Sequence, residues 1–135
     1  MTKKLLALCA MFALFIFMAP TLSMATYLES DRQLLESATT GGYHEFEAAL
    51  TNGANVNTIG HDHWTPLHLA AFNGHYNIAK VLLAHKASVG AISYHRETPL
   101  HLAAGNGRSD LVKVLLEHKA NIEAKNSKEW TPLHY

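Results

Sequence analysis

Thr65-Pro66-Leu67-His68-Leu69-Ala70-Ala71 returns 33 residues later as Thr98-Pro99-Leu100-His101-Leu102-Ala103-Ala104, and after another 33 as Thr131-Pro132-Leu133-His134. Laid over one another, His61 to Ser93 and Tyr94 to Asn126 agree at 17 of 33 positions, among them Asn73-Gly74, Lys80-Val81-Leu82-Leu83 and His85-Lys86-Ala87. A period of this length marks a solenoid, in which each copy is one supersecondary unit that buries its faces only against its neighbours. One period further back, Leu34, Ala38, Gly41, Leu50, Ala54 and Val56 stand in register with Leu67, Ala71, Gly74, Leu83, Ala87 and Val89, so a degenerate first copy precedes the clear ones.

Each unit reads as a pair of helices. Thr65 is placed to cap the first, and Pro66 fills its first turn, where a missing N–H costs nothing. Leu67, Ala70 and Ala71 give that helix a narrow face that can lie close to its neighbours. Gly74 permits the left-handed turn that ends it. Ile78, Ala79, Val81 and Leu82 follow at helical spacing and form a second helix ending between Leu83 and His85. In the third copy Pro99 to Ala104, Gly107 and the run Leu111, Val112, Val114, Leu115, Leu116 repeat the scheme.

The motif and its period, in register over residues 28–135, resemble the ankyrin repeat, whose units read T-P-L-H-x-A-A, Gly, an apolar helix ending in Leu-Leu, and a hairpin loop. The resemblance implies an all-α, ankyrin-repeat solenoid of helix-turn-helix pairs joined by hairpin loops. Its expected units are a capping repeat over 28–60, repeats over 61–93 and 94–126, and an incomplete repeat over 127–135. It further implies that His68, His101 and His134 hold their turns by bonding the neighbouring Thr and backbone. Where the family has Gly at the hairpin tips this chain has His63, Arg96 and Glu129, and after the second helix it has Lys86 and Lys119, with Gly53 keeping the family residue in the first copy. A side chain at such a left-handed site costs on the order of 1 kcal/mol, so a domain of low stability is expected.

The ends differ from the middle. Arg32 and Gln33 stand where Thr-Pro stands elsewhere, and with Glu36 they suit a polar outer cap. The sequence stops one turn into the fourth unit's first helix, so Leu111 and Leu115 are expected to meet solvent or a partner. The chain then reads as a fragment of a longer array, or as one whose open end is covered in an oligomer or complex.

The first 25 residues carry another message. Lys3-Lys4, the uncharged apolar run from Leu5 to Met18 and the small-residue stretch around Ser23-Met24-Ala25 form a three-part export signal, with cleavage expected before Thr26. Fourteen residues of helix span about 21 Å, short of the hydrocarbon layer of about 30 Å, which favours a signal over a membrane anchor. Eleven basic and eleven acidic side chains balance over the whole chain, so nothing in the charge calls for nucleic acid. Both Lys3 and Lys4 belong to the signal, leaving 9 basic against 11 acidic residues from Thr26 onward. The one cysteine, Cys9, excludes a disulfide framework and any Cys-based zinc site. The expected location is the periplasm or the exterior of the cell, with no membrane contact after cleavage.

Ten histidines in 135 residues invite a metal reading. Six recur with the repeat: His68, His101 and His134 in the motif, His85 and His118 at one position, and His75 after Gly74. Of the other four, His61-x-His63 with Asp62 between and His95 one unit away could offer imidazoles to Zn²⁺ or Cu²⁺. Solvated hairpin residues are the simpler reading, and no metal or cofactor is expected. No nucleophile elbow, phosphate-cradling glycine run or H-E-x-x-H is present. Catalytic residues and a small-molecule substrate are therefore not expected either. The Thr-His pairing recurs in every copy and marks itself as structural.

Hairpins and first helices of such a stack form one concave surface. The sequence places Trp64, Phe72, Tyr94 and Trp130 on it, among His61, Asp62, His95, Glu97, Asn73, Asn106 and Lys128. Aromatic side chains rimmed by polar ones are the composition of a protein-binding hot spot. Trp64 and Trp130 share one repeat position and so have the alternative of packing along their own hairpins. The counterpart of Phe72 one repeat on is Gly105, so the fold itself is not expected to require bulk there. The reading is a non-catalytic protein-binding module; a non-functional fragment and a weak metal-binding His-rich surface stand as alternatives.

Overall fold

The computed structural model of the chain describes residues 24–135, and within them every regular element is a helix. Most of the expected export signal lies outside the described residues. Helix α1 covers residues 24–40. It is followed by α2 (Tyr43–Thr51), α3 (Pro66–Asn73), α4 (Tyr76–Ala84), α5 (Pro99–Gly105) and α6 (Ser109–Glu117), with 3-10 turns at His61–His63 and Pro132–His134. Helices α3 and α5 pack side by side with the Pro132–His134 turn beyond them, while α2, α4 and α6 form the outer row. The architecture is the all-helical solenoid the repeat implies. None of the helices in the described residues is long and apolar enough to cross a membrane.

Local chemistry sets the helix boundaries. Thr65 is extended (φ −86°, ψ 166°), the conformation a following proline imposes, and its Oγ1 accepts the His68 N–H. The imidazole of His68 closes the box from the other side, where a Glu or Gln more often stands. Thr98 and His101 repeat the arrangement at the start of α5. In α1 neither proline nor cap occurs at Arg32-Gln33, so the helix runs straight through the position where α3 and α5 begin. Arg32 there bridges the carboxylates of Glu29 and Glu36 on the exposed face.

One core threads the stack. Leu34, Ala38, Phe46, Leu67, Ala70, Ala71, Ile78 and Leu82 belong to the same buried cluster as Leu100, Ala103, Leu111 and Leu115. The paired alanines of the inner helices leave no side-chain thickness, which lets α3 and α5 approach.

At the far end the expectation for α6 is corrected. Leu111 (2 %) and Leu115 (0 %) are buried, because their face of α6 packs on α4 and α5 within the existing layers. The exposed residues are those that each preceding copy covers with its successor. Leu83 is 6 % exposed and its counterpart Leu116 41 %; Leu100 is 2 % exposed and its counterpart Leu133 81 %.

The left-handed sites are occupied as expected. Gly41, Gly53, Gly74 and Gly107 have positive φ, and so do His63, Lys86, Arg96, Lys119 and Glu129, each near +60°. Asp62 joins them at φ 54°, so the hairpin over residues 60–64 carries two consecutive left-handed residues.

Candidate concave binding face

Three hairpins are closed by the same backbone bond: Gly60 N–H to Trp64 O (2.8 Å), Ser93 N–H to Glu97 O (2.9 Å) and Asn126 N–H to Trp130 O (3.0 Å). Successive hairpins are then tied together by Tyr94 N–H to Asp62 O and Ser127 N–H to His95 O, both 2.9 Å. Side chains reinforce the tips: Ser93 Oγ accepts from the His95 and Glu97 amides, and Asn126 Oδ1 from those of Lys128 and Trp130. Residues presented on this ladder are held on a rigid frame although they belong to loops.

Beneath the hairpins the motif histidines join one repeat to the next. Thr65 N–H donates to His68 Nδ1 (3.1 Å), Thr65 Oγ1 lies 2.9 Å from the same nitrogen, and Nε2 donates to the Glu97 carbonyl at 3.0 Å. A backbone donor aimed at Nδ1 requires a lone pair there, so the proton sits on Nε2. Burial pushes the His68 imidazole below its ordinary value of 6.5, against the Glu97 carbonyl and the Glu97 charge, which act in the other direction. His101 makes the same set, ending on the Trp130 carbonyl at 2.9 Å. His134 bonds Thr131 in the same way. The other repeating histidines also serve the backbone: His75 Nε2 meets Thr39 O, His85 Nδ1 meets Val81 O and His118 Nδ1 meets Val114 O, all at 2.9 Å.

The aromatic residues are brought together in two groups and a bridge. Trp64, half-buried, stacks over His68 (centroids 6.3 Å) and leans on Phe72 (5.3 Å), which remains 41 % exposed. Trp130 stacks over His134 (6.4 Å), takes the edge of Tyr135 (5.9 Å) and lies under Lys128 Nζ (5.3 Å). Both tryptophans thus pack along their hairpins and still present ring surface. Tyr94, 71 % exposed, lies parallel to His63 at 6.4 Å and edge-on to His95 at 5.5 Å. His61 Nδ1 is 3.1 Å from Asp62 Oδ2. Among the described residues no group of three or more His, Cys, Asp and Glu side chains is gathered to hold a metal ion.

Three polar residues of the expected face have intramolecular partners. Asn73 and Asn106 donate to the carbonyls of Leu69 (3.0 Å) and Leu102 (2.8 Å), finishing their own helices. Glu97 Oε1 accepts from the Tyr135 hydroxyl at 3.0 Å.

The sequence did not point to Tyr135. It occupies the register of Leu69 and Leu102, takes a hydrogen bond from Asn126 Nδ2 (2.9 Å), and sits where a side chain on Gly105 would extend, 2.8 Å from the ideal Cβ position. A cleft of about 320 Å³ between α1 and the Gly60–Trp64 hairpin was also missed; it is lined by Leu35, Thr39, Gly60, Trp64 and Leu69, with Glu36, His61 and Asp62 at its lips. Its signal was a pair of register differences: Leu35 stands at the position of His68, and Thr39 at that of Phe72.

Family models of ankyrin repeats match nearly all of the described chain, a three-copy model over residues 26–93 and a many-copy model over residues 84–135. No curated protein matches the chain.

Proposed function

We propose, for a chain that belongs to the ankyrin repeat family, that the concave face of hairpins and first helices binds one folded partner protein. Ankyrin repeats are generally protein-interaction modules, and family members are typically non-catalytic. The finer reading assigns the contact to Trp64, Phe72, Tyr94 and Trp130, with His61, Asp62, His95, Glu97, Asn73, Asn106 and Lys128 around them. The single observation that carries it is Phe72: an aromatic ring 41 % exposed beside Trp64, at a repeat position where the next copy holds Gly105. The ring packs on Trp64 much as Tyr135, which fills the place beside Gly105, packs on Trp130, and the part of Phe72 left exposed is the surface offered to a partner. Exposed Tyr94, set on a hydrogen-bonded hairpin ladder, extends the same surface.

The proposal includes export. The basic start, short apolar run and small-residue site of residues 1–25 support removal of that segment before Thr26 and a partner in the periplasm or outside the cell. Capture from the exported fraction with the wild-type chain and with Trp64→Ala/Phe72→Ala tests the binding face. Loss of a partner with retained helical content is expected; undiminished capture by the double variant overturns the assignment.

A further inference from the structure

We infer that the cleft between α1 and the Gly60–Trp64 hairpin is a subsite for a Lys or Arg side chain of an extended partner segment. The inference rests on the concave-face reading and names the chemistry of what one part of that face accepts. Leu35 of α1 forms one wall of the cleft, Trp64 and Leu69 the other, so its floor is apolar. Thr39 leaves it open, because the larger ring carried at this register by α3, Phe72, is missing from α1. At the lips stand carboxylates from two different elements, Glu36 of α1 and Asp62 of the hairpin. A long aliphatic stem ending in a cation matches both parts: methylenes against leucine and indole, the charge at the rim, where the Trp64 ring adds a cation-π surface.

Charge distribution along the solenoid selects the same occupant. From Thr26 to Asp62 the chain carries six carboxylates, Glu29, Asp31, Glu36, Glu45, Glu47 and Asp62, against Arg32 alone. From His63 to Tyr135 eight Lys and Arg face five Asp and Glu. Arg32 is held by Glu29 and Glu36 together, so that group keeps a net negative charge, and among the described residues the Asp62 carboxylate is paired with the His61 imidazole and with no Lys or Arg. The field at this end of the concave face attracts a basic segment and repels an acidic one.

The test follows the Trp64 indole and the Leu35 and Leu69 methyl signals of the isotope-labelled chain. The probe is a nonapeptide with a central Leu-Arg-Leu between Gly/Ser flanks, compared with versions carrying norleucine or Glu in place of Arg. The Arg probe should shift those signals, bind up to about fivefold more tightly than the norleucine probe, as one exposed charge pair allows, and lose that margin as salt rises. The Glu probe should not bind. Thr39→Phe, which fills the cleft, should abolish the shifts with an unchanged melting temperature, and Glu36→Gln/Asp62→Asn should equalise the Arg and norleucine probes. Equal binding of Arg and norleucine by the wild-type chain overturns the charge selection and leaves the wider face intact. Shifts that survive Thr39→Phe overturn the cleft as the subsite. Shifts that follow protein concentration without peptide identify the occupant as a second copy, through its basic repeats, and overturn the partner reading. Absence of shifts with every probe also overturns the subsite, whereas only capture insensitive to Trp64→Ala/Phe72→Ala overturns the face.

Discussion

Acidification attacks this solenoid at His68, and the size of the effect follows from its hydrogen bonds. The imidazole is fully buried, accepts the Thr65 N–H on Nδ1 and donates from Nε2 to Glu97 O, so it has no place for a second proton. Protonating Nδ1 sets two donors against each other and strands a buried backbone N–H, a cost of about 1–3 kcal/mol. The folded-state value is lowered, with burial as the main cause. Above the ordinary histidine value neither state binds the proton and His68 contributes no pH dependence. As pH falls below about 6.5 the unfolded chain takes up a proton that the folded chain refuses, and stability drops by about 1.4 kcal/mol per pH unit until the folded-state value is reached. Between pH 7.5 and 5.5 the loss from His68 alone is therefore at most about 1.4 kcal/mol, reached if the folded chain takes up no proton over that range, against the 5–15 kcal/mol typical of a domain. Urea denaturation at the two pH values should show the midpoint lowered at pH 5.5, by up to about 1 M for a slope of about 1–1.5 kcal/mol per M. Long-range ¹⁵N spectra of the folded chain should show His68 neutral with its proton on Nε2 throughout. A midpoint indifferent to pH, or a His68 that titrates near 6.5 in an intact fold, refutes the reasoning.

Five further substitutions read the backbone and the Tyr135 hydroxyl. Lys86→Gly and Lys119→Gly each replace a side chain at φ 63° and should stabilise by up to about 1 kcal/mol, additively, in chemical denaturation. Gly41→Ala should cost about 1–2 kcal/mol, since φ is +83° and the new Cβ stands 2.7 Å from the His75 ring that holds Thr39 O. The same change at Gly90, where nothing lies within 4 Å, should leave the denaturation midpoint nearly unmoved. Tyr135→Phe removes the hydroxyl shared by Asn126 and Glu97 and should lower thermal stability by about 0.5–1.5 kcal/mol; an unchanged melting temperature would show that these two hydrogen bonds contribute nothing.

Much of the fold was legible because it is written more than once. A 33-residue register fixes which residue faces which, so Thr65, Pro66, His68 and Gly74 could be given roles that their geometry repeats at Thr98, Pro99 and His101. Even the left-handed lysines stood out as departures from a glycine position. Leu111 and Leu115 were misread because amphipathic spacing marks an apolar face without saying which layer covers it. Their face turns inward to α4 and α5, and the register comparison of Leu83 with Leu116 would have found the exposed one. The site was legible as a surface and not as a shape. Trp64 and Phe72 were visible as bulky residues at presenting positions, but the cleft beside them arises from what α1 lacks, the ring at Thr39 and the capped break at Arg32-Gln33.

The central claim is that one face of the stack does the binding, and a footprint of the captured partner on the chain tests it most directly. Amide exchange of the full chain, free and in complex, should show protection over the hairpins around Trp64 and Tyr94 and over α3 and α5. The solvent side of α4 and α6 should exchange as before. Affinity for the same partner should fall about thirtyfold or more on Phe72→Ala, as for a hot-spot aromatic. Protection confined to α4 and α6, with Phe72→Ala binding as tightly as the wild type, would contradict the account.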